Sequence, residues 1–299
     1  MKKRVLALLM TCFMVSTMAL TGCGANSEST TEGTADQSTA SETTAEKSSD
    51  DGQDTAPSSD EEKVLRLNLH SNPPDMDPQT TADTQSSEVL NEMLEGLARM
   101  QEGGVIEEGS GLAESWDISE DGLVYTFKLR DALWSDGTAI TAEDFVYSWK
   151  RALNPKTASK SAYLLYSIKG GEAYNKGEGS EADVAIEAVD EKTLKVTLER
   201  PTPYFLSLTA YTAYMPVKKE FHESHKENFA NGVDNMICSG PFVIKTWNQE
   251  QKIILEKNEN YWDKENVNID RIEYDMIVDL NTPINLYETN ELDLIGVPT

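Results

Sequence analysis

From Val64 onward the apolar positions fall into two periods. Leu65, Leu67 and Leu69 alternate with Arg66 and Asn68, which predicts a half-buried strand. Val89, Met93, Leu94 and Leu97 recur at helical spacing, with Gly96 near the expected helix end. Alternation returns in Trp116–Ser119 and Leu123–Arg130 around Glu120-Asp121-Gly122, a hairpin signature because Asp-Gly tolerates the tight turn. Ser135-Asp136-Gly137-Thr138 predicts another turn. Thr141 then opens a helix. Its hydroxyl can cap a free amide, and the acid three residues on, Asp144, can return the bond. Phe145, Val146, Trp149 and Leu153 make the apolar face, and Asn154-Pro155 stops it.

The remainder continues the mixture. Residues 184–189 and Leu194, Val196 and Leu198 predict paired strands around Asp190-Glu191. Residues 243–247 and 253–255 predict a further hairpin. A strand over 272–277, a helix over 283–289 and a strand over 292–295 complete the pattern. Interleaved strands and helices without an internal repeat indicate an α/β or α+β body.

The first 62 residues read differently. Lys2, Lys3 and Arg4 precede an apolar run from Val5 to Leu20, too short for a membrane span and right for a secretory signal peptide over 1–22. From Gly24 to Glu62 there is no aromatic residue and no Val, Ile, Leu or Met. Such a segment cannot bury enough apolar surface to offset chain entropy, so 23–62 is expected to be a disordered acidic tether. As a flexible coil it would span roughly 35 Å. The net charge of −26 argues against nucleic acid and against adhesion to anionic headgroups. Of the three cysteines, Cys12 would leave with the signal. Cys23 stands at the cleavage point, and Cys238, alone in the body, has no partner for an internal disulfide there.

Signatures of catalysis are sparse. No Gly-x-Ser-x-Gly elbow is present, and Gly177 and Gly179 lack the lysine of a phosphate loop. His222 and His225 lie three apart, not at zincin spacing, and no third ligand is visible nearby. No metal, cofactor or catalytic residue is therefore assigned. Abundant carboxylates leave a two-carboxylate hydrolase open. Trp116, Trp134, Trp149, Trp247 and Trp262 could line a cleft or fill a core, and Tyr204-Phe205 and Tyr211–Tyr214 are equally ambiguous.

Two resemblances sharpen the picture. Leu20-Thr21-Gly22-Cys23 resembles the bacterial lipobox, which implies lipidation of Cys23 and anchoring outside the cell membrane. The string from Gly111 to Leu153, GLAESWDISEDGLVYTFKLRDALWSDGTAITAEDFVYSWKRAL, resembles the extracytoplasmic solute-binding proteins of peptide ABC importers, in particular the oligopeptide-binding branch of family 5 (peptide/nickel type). Met76-Asp77-Pro78, Glu95-Gly96-Leu97, residues 154–159, Pro203-Tyr204-Phe205, Ser239-Gly240-Pro241-Phe242, Asn260-Tyr261-Trp262-Asp263 and Asn290-Glu291-Leu292-Asp293 fall in the family's order.

The resemblance implies an α/β, two-lobed periplasmic-binding-protein-like fold of type II with an extra domain. The first lobe would be 63–95 plus 219–299 and the extra domain 96–218, with the second lobe following the point where this sequence ends. It implies capture of an oligopeptide through its main chain, delivery to ABC permease transmembrane subunits, a monomer, and no catalysis, cofactor or nucleic acid. A dipeptide, a metal chelate or a signalling peptide are alternative ligands; an extracellular hydrolase or a surface lipoprotein without a small ligand are alternative functions. The ligand-binding residues it implies are Ala82, Asp83 and Thr84, Ser161 and Tyr163, and Gly296 and Val297. Relatives often carry an acid at the position of Ala82 and a tyrosine directly after Ala-Ser-Pro, whereas this chain has Ser161 after Ala158-Ser159-Lys160, with Tyr163 as a substitute.

Overall fold

A computed structural model of the chain describes residues 62–295. In chain order the strands and helices are β1 (Val64–Asn68), α1 (Thr84–Met93), β2 (Ala113–Ile118), β3 (Val124–Leu129), α2 (Ala142–Leu153), α3 (Gly171–Asn175), β4 (Ile186–Asp190), β5 (Thr193–Thr197), α4 (Phe205–Leu208), α5 (Lys219–His225), β6 (Phe242–Asn248), β7 (Lys252–Lys257), β8 (Arg271–Asp275) and α6 (Thr282–Glu288). Cys23, Gly296 and Val297, with the expected signal peptide and tether, lie outside the described residues.

The strands form two four-stranded sheets, in orders β1-β8-β7-β6 and β2-β3-β5-β4. The second is wholly antiparallel, two hairpins joined where β3 pairs with β5. Gly122 turns the first hairpin with φ of 69°, a conformation costly for a residue bearing Cβ, while the Asp121 carboxylate accepts from Leu123 N at 3.1 Å. Tyr125, Phe127 and Leu129 alternate inward, and Tyr125 and Phe127 meet Val196 and Leu194 in register. α2 lies across this sheet and buries Phe145, Trp149, Ala152 and Leu153. Asp144 does return the capping bond, accepting from Thr141 N at 2.9 Å.

In the other sheet β1 runs parallel to β8, with Leu65 opposite Ile272, and the remaining pairs are antiparallel. α1 packs beside β6. Its apolar face explains Val89, Leu90 and Met93, but the helix ends at Met93, short of the expected Leu97. The reason is tertiary. Ser239 N and Gly240 N both donate to the Met93 carbonyl, at 3.1 and 2.8 Å, and Leu112 N and Ala113 N donate to Gly96 O and Leu97 O. The chain after Met93 is thus drawn out as an extended strap whose polar groups are satisfied across the fold. Gly240 is needed for this approach, because a Cβ there would stand 2.8 Å from Leu94 N.

The expected strand over 292–295 is not formed. Asp293 N donates to Arg66 O at 2.9 Å, but its carboxylate, rather than a carbonyl, accepts from Arg66 N at 2.7 Å. A side chain has replaced the next rung of the ladder, and the pairing goes no further. Among the described residues no helix is long and apolar enough to cross a membrane.

Candidate functional site

The segment 75–84 leaves β1 and reaches α1 without regular structure, yet it is tightly held. Asp75 accepts from Asp77 N and Thr80 Oγ1, and the Asp77 carbonyl accepts from Thr80 N and Thr81 N. Arg151, from the last turn of α2, grips Asp77 with both guanidinium nitrogens and donates to Gln79 Oε1 at 2.8 Å. Gln79 Nε2 then donates to Met215 O at 3.1 Å. These bonds fix the strap Thr81-Ala82-Asp83 beside the chain that follows α4.

Asp83 caps α1: its Oδ1 accepts from Ser86 N at 2.8 Å and its Oδ2 from Thr81 Oγ1 at 3.1 Å. Its carboxylate is thereby committed to the fold. Ala82 is exposed, and its N–H and C=O have no protein partner among the described residues. Unpaired main-chain groups on an extended strap are free to pair with another extended chain.

Facing the strap, Ser161 Oγ donates to Thr81 O at 3.4 Å. The turn after it, 162–165, is anchored from beneath: buried Tyr214 donates its hydroxyl to Leu164 O at 2.8 Å, and Trp149 Nε1 donates to Tyr214 O at 2.6 Å. Burial raises the Tyr214 phenol well above its ordinary range, so it stays a donor at any physiological pH. With the turn held, Tyr163 stands out at 63 % exposure.

Ala82, Asp83, Thr84, Ser161 and Tyr163 therefore line one open cavity of about 720 Å³. Five positions carried over from two separated stretches of sequence meet there. Met100, Lys160 and Leu208, which were not expected, and Tyr211, which had been ambiguous, also line the cavity. Tyr211 belonged to an aromatic run with no period to separate core from surface: Tyr214 is buried, Tyr211 half-exposed. A second recess of about 470 Å³, lined by Tyr204, Tyr166 and Arg200, shares Tyr163, Leu164 and Leu208 with the first. No tryptophan lines either. Trp134 and Trp149 are fully buried, and Trp247 donates to Asn72 Oδ1.

The two α5 histidines diverge. His222 Nδ1 meets the Tyr147 hydroxyl at 2.7 Å, whereas His225 stacks on Phe221 and bonds its carbonyl. Burial first, and then nearby Arg151, lower the His222 pKa. Among the described residues no group of three or more His, Cys, Asp or Glu side chains is placed to hold a metal.

A family described as bacterial extracellular solute-binding proteins, family 5, middle, matches residues 109–299. The chain is 43 % identical over 236 residues to the oligopeptide-binding protein OppA of Bacillus subtilis, covering 79 % of this chain and 43 % of that protein. It is 38 % identical over 281 residues to the dipeptide-binding protein DppE of the same organism, covering 94 % and 48 %. The fold matches that of Listeria monocytogenes OppA bound to peptide with a TM-score of 0.75 and 38 % identity, over 78 % of this chain and 46 % of that one. The chain thus spans less than half the length of these relatives.

Proposed function

The chain belongs to the bacterial extracellular solute-binding proteins of family 5, and on that premise we propose that it captures short peptides outside the cell for an ABC importer. One observation carries the reading: an exposed strap at Ala82, whose main-chain donor and acceptor have no partner among the described residues, forms one wall of an open cavity opposite Ser161 and Tyr163. A peptide laid along Ala82–Thr84 would pair through its own N–H and C=O groups, which every sequence shares. Tyr163, Tyr211, Leu208 and Met100 would receive its side chains on an apolar, roomy wall that discriminates weakly. In this reading 63–95 and 219–299 form one lobe and 96–218 an added domain. Lipid on Cys23 holds the monomer at the membrane, where it meets the permease subunits. Nothing is cleaved.

Calorimetric titration of the intact protein with dipeptides and mixed tri- to pentapeptides tests this. Saturable 1:1 binding with peptide recovered unchanged supports capture. Absence of binding overturns it, and recovery of hydrolysed peptide would favour the extracellular hydrolase instead. Dipeptides remain in the comparison because one relative is a dipeptide-binding protein. Loss of membrane association in Cys23→Ser tests the anchor.

A further inference from the structure

We infer that Lys160 makes this cavity selective for ligands that bring a carboxylate to the Ala82–Thr84 strap. The inference rests on the peptide-capture reading and adds a preference to it. Among the described residues two charged side chains line the cavity, Asp83 and Lys160. They are not equivalent. Both oxygens of Asp83 are occupied by the fold, one by Ser86 N and the other by Thr81 Oγ1. The Lys160 ammonium is exposed and has no carboxylate or hydrogen-bond partner among the described residues. Other lysines of the chain do hold acids, as Lys218 holds Asp136, Lys252 holds Glu273 and Lys257 holds Asp270.

The surroundings sharpen the effect. The chain carries a net −26, so its long-range field opposes the approach of an anion. Among the described residues Lys160 is the one cation of this wall, and the other charge there, the Asp83 carboxylate, is held by Ser86 N and Thr81 Oγ1, so a ligand carboxylate gains most at Lys160. Its position is also defined. The neighbouring Ser161 donates to Thr81 O, which sets Lys160 next to the strap rather than at the far rim. Two ligand groups share the required chemistry, an acidic side chain and the peptide's own terminal carboxylate.

The test measures affinities of the intact protein for Ala-Glu-Ala amide against Ala-Gln-Ala amide, and for Ala-Ala-Ala free acid against its amide. Lys160→Gln and Lys160→Arg are compared with the parent, with thermal unfolding run beside them. One or both acidic members should bind roughly two- to fivefold tighter, the range of a solvent-exposed ion pair. The preference should vanish in Lys160→Gln, persist in Lys160→Arg and shrink in 0.5 M salt. Whichever pair responds identifies the carboxylate. Equal affinities within both pairs, or a preference that survives Lys160→Gln, overturns the inference while leaving peptide capture standing. Failure of every peptide to bind the parent overturns capture itself, and this preference with it.

Discussion

The grip of Arg151 on the 75–84 segment sets a measurable free energy. Arg151 and Asp77 side chains are only 14 % and 12 % exposed, and the pair is bidentate. Replacing Arg151 by Met keeps the stem's packing but removes three hydrogen bonds, two to Asp77 and one to Gln79. Asp77 then keeps one local amide donor, Gln79 N at 3.0 Å, for a nearly buried charge. Breaking a buried pair from one side costs about 3–5 kcal/mol, and residual solvent access favours the lower end. We expect Arg151→Met to lose about 3 kcal/mol, a fall of roughly 6–12 °C in Tm for a body of this size. Asp77→Asn should cost less, about 1–2 kcal/mol, because its partner is a long side chain that can reach water. Urea unfolding followed by tryptophan fluorescence reads both changes, and the double variant gives their coupling. A loss under about 1 kcal/mol in Arg151→Met would refute the reasoning, since that is the worth of a surface pair.

Three further outcomes follow from the same structure. Gly240→Ala should destabilise by about 1–3 kcal/mol, because its Cβ would meet the backbone of Met93 and Leu94 rather than a movable side chain, as chemical denaturation would show. Burial pushes the Cys238 thiol up to about 12, so it should resist a disulfide reagent at pH 8, and denaturation should expose one more thiol than the native protein presents. Partial burial opposes ionisation of Glu273, but Lys252 and then Arg271 hold its carboxyl below the usual range. A depressed carboxyl stabilises the fold above its unfolded pKa and loses that contribution as pH falls through the folded value. The stability gap between the parent and Glu273→Gln should therefore be full at neutral pH and close as the solution is acidified below about pH 4; a gap that grows with acid would contradict it.

Local pattern made most elements legible. The hairpin around Gly122 had alternating arms and an Asp-Gly turn between them, and α2 had a cap, an apolar face and a proline stop, so pattern and structure agree there. Failures arose where a distant backbone decided the outcome. Leu94 and Leu97 keep helical spacing, yet Met93 O is taken by Ser239 and Gly240, almost 150 residues away in sequence, and the helix stops. The same holds after Leu292, where the Asp293 carboxylate substitutes for a strand rung. At the cavity, residue types alone said little. Ala82 is chemically silent, and its importance lies in unpaired main-chain groups that no side-chain motif reports. Resemblance to a family supplied Ala82–Thr84, Ser161 and Tyr163, and folding brings these together. Lys160, Tyr211 and Met100 belong to the same wall but carry no spacing that separates wall from surface. Asp83 belongs to the same strap, and its carboxylate caps α1.

Recognition through the peptide main chain at the Ala82 strap is tested most directly by backbone N-methylation. Affinity of the intact protein for a tripeptide should be compared with each singly N-methylated form. Methylation of the amide that pairs with the Ala82 carbonyl should weaken binding about tenfold, about 1.4 kcal/mol, while exchange of the neighbouring side chain costs less. Equal affinity for parent and all methylated peptides would contradict main-chain pairing at this strap.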